Sequence, residues 1–132
     1  MERGFITIGR VLLGLYFLYP GLAKIPRYDF YIEYMSLHNV PLVNILLPVT
    51  IFLQVVLGSA LIIGYRIKEA AIVLAALTIC INIGMHDFWN EYPNTNAGHE
   101  MQNFVKNLAI FSGLLVLSAS KNVAQWSFFV KN

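Results

Sequence analysis

Four long apolar stretches occupy most of the chain, at approximately Phe5–Ile25, Val40–Gly64, Ile67–Trp89 and Asn103–Ser120. A helix needs about 20 mostly apolar residues to cross a hydrocarbon core of about 30 Å, and these stretches reach or approach that length. Lipid offers the backbone no hydrogen-bond partners, so an open sheet is excluded and helices remain. The expected fold is therefore all-α: an integral-membrane, antiparallel four-helix bundle forming one domain over residues 1–132. Nearly every stretch also carries a charged or amide residue that a purely lipid-facing helix would lack, and such residues mark where function is to be sought.

Composition closes several alternatives. At 58% hydrophobic and 12% charged residues, with a mean hydropathy of +0.63, the chain is too apolar for a soluble domain of this size. Its net charge of +2 is scattered over loops and ends without a basic run, so nucleic acid is not an expected partner. Cys80 is the single cysteine, which excludes an intramolecular disulfide and a two-cysteine redox pair; it is read as a small core residue. The first apolar stretch is too long for a signal-peptide core and no small-x-small cleavage site follows it, so it reads as a retained anchor.

The basic residues set an orientation. With the N-terminus in the cytoplasm, that side holds Arg3, Arg10, Arg66, Lys68, Lys121 and Lys131, whereas Lys24, Arg27 and Lys106 lie on the other side. The positive-inside rule then places both termini in the cytoplasm. The connection around Tyr65, Arg66 and Lys68 is short, which makes the second and third helices antiparallel neighbours. Between Pro26 and Pro41, Phe30, Tyr34 and Leu37 recur at helical spacing and predict a short amphipathic helix at the outer interface. It reads as an aromatic anchor, or alternatively as a lid over a site between the helices. The segment from Asn90 to Glu100 is rich in turn-forming residues.

Helical phase brings the polar residues together. Arg10, Gly14, Phe17, Gly21 and Lys24 share one face of the first helix, where the glycines permit close approach of a neighbour. Asn44, Ile51, Gln54, Gly58 and Tyr65 form a stripe on the second. Asn82 and His86 stack on the third, and Asn103 and Asn107 on the fourth. In the assigned orientation His86, Asp87, Glu100, Asn103, Lys106, Asn107 and Lys24 all lie near the outer helix ends, with Tyr16, Phe17, Tyr19, Phe88, Trp89 and Phe104 at similar depth. Convergent polar groups on aromatic walls are what a small-molecule site requires. The predicted ligand-binding set is His86, Asp87, Lys106 and Asn107 with Lys24 across the bundle, framed by Trp89 and Phe104.

The pattern Gly9-Arg10-Val11-Leu12 with Phe17, Gly21 and Lys24-Ile25, then Gln54, Gly58 and Gly64, then His86 and Phe88, then Phe104-Val105-Lys106-Asn107-Leu108 running into Ser112-Gly113-Leu114-Leu115, resembles the DoxX family over nearly the whole chain. The resemblance implies a four-helix bacterial inner-membrane protein. The family takes its name from a quinone-reducing thiosulfate oxidoreductase, and some members are linked to membrane oxidoreductase complexes. This chain departs from the family pattern at Gln54, where an acidic residue is frequent, and an amide cannot relay protons by titrating.

Each of these residues has a structural reading as well. Lys24 and Lys106 are placed to snorkel toward interfacial water. Asn44, Gln54 and Asn82 suit interhelical hydrogen bonds. His86 can hydrogen-bond a loop, or it can exchange a proton near neutral pH with a quinone or quinol oxygen. No metal-ligand spacing, covalent haem motif or self-sufficient catalytic motif is present, and the catalytic residues are unassigned. Three function classes follow: a quinone-linked subunit of an oxidoreductase system with a redox partner protein, a non-catalytic membrane scaffold or assembly factor, and a small transporter. For the last, four short spans leave little room without a homo-oligomer.

Overall fold

The computed structural model describes residues 1–121. Lys131, counted above among the cytoplasmic cations, lies outside the described residues. Five helices follow one another: α1 (Glu2–Lys24), α2 (Tyr28–Leu37), α3 (Val43–Ile63), α4 (Ile67–Met85) and α5 (Ala97–Ala119). No strand occurs among the described residues. Helices α1, α3 and α4 are long and apolar enough to cross a membrane. Four such helices are expected from the sequence, and α5 departs from that expectation. It starts at Ala97 rather than Asn103, and His99, Glu100, Gln102, Asn103, Lys106 and Asn107 in its first turns dilute its apolar character.

Glycine decides how α1 meets α3. A Cβ built on Gly14 would lie 2.6 Å from the Gly58 carbonyl oxygen, and one on Gly58 would lie 2.9 Å from that of Gly14. Backbone touches backbone there, as small residues allow in apolar surroundings. Nearer the end of α1, a Cβ on Gly21 would meet Gln54 at 2.9 Å, so the two helices run in opposite directions. Helices α4 and α5 also run oppositely, because Asn82 contacts Phe104 and Asn107 while His86 contacts Glu100. Alanines continue the small-residue theme: Ala60, Ala70, Ala71 and Ala75 pack with Phe17, Leu61, Leu74 and Leu114 in the central core.

Arg10 is buried in this seam and donates from a guanidinium NH to the Leu61 carbonyl at 2.8 Å. Leu61 belongs to the last turn of α3, whose carbonyls have no partners within the helix. A cation favours that negative helix end. Arg10 thus pairs across helices.

The turn from α3 to α4 is as tight as its length requires. Gly64 takes a left-handed conformation with φ of 83°, and the N–H groups of Gly64 and Tyr65 both donate to the Ala60 carbonyl. The outer surface is apolar on every long helix, with Leu12, Phe52, Ile83 and Val116 between 61% and 72% exposed. Surfaces of this kind need an apolar solvent. Cys80 lies on this surface and is exposed, which corrects its expected place in the core.

Candidate functional site

A cavity of about 310 Å³ opens where α1, α2, α3, α4 and α5 approach one another. Phe17, Pro20, Met35, Leu47, Ile81 and Met85 supply its apolar wall. Tyr16, Lys24, Tyr31, Tyr34, Thr50, Gln54, Thr78, His86, Asn103, Lys106 and Asn107 supply the polar part of the lining. The two cations among them face no carboxylate in that lining.

Lys24 reaches inward rather than out to water. It stands at the end of α1, and its ammonium donates to Gln54 Oε1 at 3.1 Å and to the Pro20 carbonyl at 3.3 Å, and lies 5.2 Å from the centre of the Tyr31 ring. Each of these contacts replaces part of the hydration that the ammonium gives up. Gln54 is therefore an acceptor that holds the lysine in place. Lys106 remains exposed and donates to Asn103 Oδ1, one turn back on α5, at 3.2 Å.

His86 is the residue on which α4 ends, and its ring meets α5. Its Nδ1 lies 2.6 Å from Glu100 Oε2, while the Tyr34 hydroxyl of α2 donates to Glu100 Oε1 at 3.3 Å. Burial, then the charge of Glu100 and the hydrogen bond to it, push the Tyr34 phenol up to about 12, so it keeps its proton. One carboxylate thus joins α2, α4 and α5 at the cavity wall.

A second polar chain lies deeper. The Tyr16 hydroxyl donates to Asn107 Oδ1 at 2.9 Å, Asn107 Nδ2 donates to Asn82 Oδ1 at 2.9 Å, and Asn82 Nδ2 donates to the Phe104 carbonyl at 3.0 Å. Asn82 and Asn107 are both buried, so this chain satisfies amides that would otherwise be costly to desolvate. It couples α1 to α4 and α5.

Of the seven predicted binding residues, the cavity gathers His86, Lys106, Asn107 and Lys24. Asp87 faces elsewhere, which corrects its placement beside them. The helical path ends with His86, so the next side chain leaves the helical phase and turns toward the α2–α3 connection. There the Asp87 carboxylate accepts from His38 Nδ1 at 3.2 Å, from Asn90 Nδ2 at 2.9 Å and from the Tyr92 hydroxyl. Burial pushes this carboxyl up, but the hydrogen bonds from Asn90, Tyr92 and His38 together hold it below the usual carboxylate range. The bond to Asp87, followed by burial, pushes the Tyr92 phenol up.

Trp89 and Phe104 also stay out of the lining. With Phe88 they form an edge-to-face cluster with centroids 5.3 to 5.8 Å apart, outside the cavity. Among the cavity residues that the predicted set omits are Tyr31, Tyr34 and Met35 of α2, together with Gln54 and Tyr16. The aromatic spacing of α2 is their signal in the sequence. The sequence places Glu100 near the same outer helix ends as His86, but helical spacing does not give their contact, because a loop of irregular path separates them.

The chain is similar to two curated membrane proteins. Over 113 residues it is 28% identical to the inner membrane protein YqjF of Escherichia coli (strain K12), covering 86% of this chain and 81% of that protein. It is 22% identical to the inner membrane protein YphA of the same organism over 113 residues, covering 86% and 80% of the two chains. No solved structure matches. The DoxX family model matches residues 5–87, well over half of the chain and the part that carries α1 to α4, and the protein belongs to the DoxX family.

Proposed function

We propose that this protein is a multi-pass component of a bacterial inner membrane that binds a polar-headed apolar ligand, a quinone, in the cavity between its helices. The observation that carries the reading is the composition of that cavity: two lysines, a histidine, tyrosines and amides along one part of the wall, with Phe17, Leu47, Ile81 and Met85 along the rest. A quinone head bears carbonyl oxygens that accept hydrogen bonds, and Lys24 is the donor placed for one of them. The apolar lining suits the ring and the start of a tail. A redox partner protein exchanges the electrons, while this chain supplies binding and a proton-exchanging imidazole at His86. The names of the two Escherichia coli relatives support the inner membrane as its location.

In this reading α5 is a fourth span, with Glu100 and Asn107 of its first turns buried and its later turns apolar. The four long helices then form an antiparallel bundle, α2 lies along the outer interface, and both termini face the cytoplasm, an orientation that the distribution of Lys and Arg favours. A reporter fused after Asn132 tests the orientation, and periplasmic activity of that reporter would overturn it.

Ligand binding is tested by thermal unfolding of the purified protein with a short-tailed quinone supplied in both redox forms. The wild type is stabilised, and His86→Ala and Lys106→Met lose most of that stabilisation while remaining folded. Equal shifts in all three proteins, or no shift in the wild type, would remove the quinone reading and leave a membrane scaffold.

A further inference from the structure

The hydroxyl donors of Tyr34, Tyr16 and Thr78, which line the cavity with His86, are already committed to partners inside the protein. The carboxylate of Glu100 offers only acceptors, so the His86 Nδ1 that lies 2.6 Å from it carries the proton, and in the neutral ring Nε2 then carries a lone pair. His86 lines the cavity, and Nε2 is the one other polar atom its ring can present there. The Tyr34 hydroxyl gives its proton to Glu100, and the Tyr16 hydroxyl gives its proton to Asn107. Thr78 donates back to the Leu74 carbonyl at 2.7 Å. All four side chains line the cavity, and what each has left to offer a ligand is an acceptor. Lys24 is the opposite case. Two of its three N–H groups are directed at Gln54 and Pro20, and the third remains for an acceptor, as do the N–H groups that Lys106 does not give to Asn103.

We propose that Glu100 is a positioning residue that fixes His86 as a hydrogen-bond acceptor, and that the cavity consequently selects a head group bearing a hydroxyl proton, a hydroquinone in preference to the corresponding quinone. The inference rests on the reading of the cavity as a quinone-type site and goes beyond it by naming the redox form recognised. A quinone places a lone pair against the lone pair of Nε2, whereas a hydroquinone donates to it. Lys24 serves either form, since a hydroxyl oxygen and a carbonyl oxygen both accept. The selected contact is a hydrogen bond from the ligand O–H to Nε2. If the proton crosses, the O–H bond breaks as the N–H bond forms, leaving a phenolate beside an imidazolium whose charge Glu100 balances, with no electron transferred.

The experiment measures affinities of decyl-benzohydroquinone and decyl-benzoquinone for the purified full-length protein in detergent, without oxygen and at one fixed pH. Wild type, Glu100→Gln and His86→Ala are compared. The wild type binds the hydroquinone about tenfold more tightly, the scale of one good hydrogen bond. Glu100→Gln still binds, but the preference falls to about threefold or less because an amide can donate as well as accept and so admits both ring tautomers. Nitrogen NMR of ring-labelled His86 in the wild type reads the tautomer directly and does not depend on a variant folding. A proton on Nδ1 and a bare Nε2 are expected.

Equal affinities in the wild type, an unchanged preference in Glu100→Gln, or a proton on Nε2 would each overturn this inference and leave the quinone site standing. Binding of neither form would overturn both.

Discussion

The molecule contains two histidine–carboxylate pairs of similar chemistry at neighbouring places, and their surroundings give them different work. His38 and Asp87 are sealed: their side chains are 0% and 7% exposed, and the carboxylate takes donors from three residues. His38 Nε2 has no hydrogen-bond partner among the described residues. With the proton on Nδ1 toward Asp87, that buried nitrogen leaves an acceptor unsatisfied rather than a donor. His86 and Glu100 sit closer, at 2.6 Å, with the histidine side chain 19% exposed and set in the cavity wall. What the second ring nitrogen faces separates a latch from a binding group. The first pair holds the end of α2 to the α4–α5 connection, and the second lies in the cavity wall, where the proposed tautomer would present a lone pair.

Breaking the latch has the largest expected effect. Asp87→Ala strips an acceptor from His38, Asn90 and Tyr92 at once, and a loss of about 3 kcal/mol of stability is expected. Thermal unfolding in detergent measures it, and a change within error would show that the latch contributes nothing. At the cavity wall His86→Ala is expected to cost less, about 1 kcal/mol, because the ring is partly exposed and Glu100 keeps the Tyr34 hydroxyl. Its main effect is loss of ligand-dependent stabilisation. A reversed order of these two stability losses would exchange the assigned roles.

Acid acts on the latch through its carboxylate. Because the Asp87 carboxyl is held below its ordinary range, the folded protein keeps it ionised at pH values where the unfolded chain has already taken up a proton. The stability that follows is fully present above about pH 4 and is lost as pH falls through the folded-state value. Unfolding midpoints recorded from neutral to strongly acidic pH should lose that component in Asp87→Asn. An identical acid profile for the variant and the wild type would contradict it. The smallest effect is expected of Tyr92→Phe, which removes one of the three donors to Asp87 and leaves the other two.

Much of the site was legible from helical phase, and the rest was lost where phase ends. Gly14, Gly21 and Gly58 mark the close seam between α1 and α3 by spacing alone, and the same spacing puts Lys24, Asn107 and His86 at one depth. Asp87 lies one residue beyond the helical register, so its direction follows from the loop and not from the period of α4. Glu100 belongs to a first turn of α5 that the apolar pattern does not include. Cys80 shows a different limit. In lipid a small apolar residue is at ease on the outside of a helix as well as within, so its hydrophobicity carries no information about burial.

The central claim, that the cavity holds an apolar ligand with a polar head, is tested most directly by photolabelling. A short-tailed quinone analogue carrying a photoreactive group on its ring is irradiated with the purified protein, and the labelled peptides are identified by mass spectrometry with and without excess unlabelled hydroquinone. The account predicts competed labelling of the cavity segments around Tyr31 to Met35 on α2 and Ile81 to Met85 on α4, with loss of that labelling in His86→Ala. Labelling confined to the lipid-facing positions Leu12, Phe52 and Val116, unaffected by competitor, would contradict it.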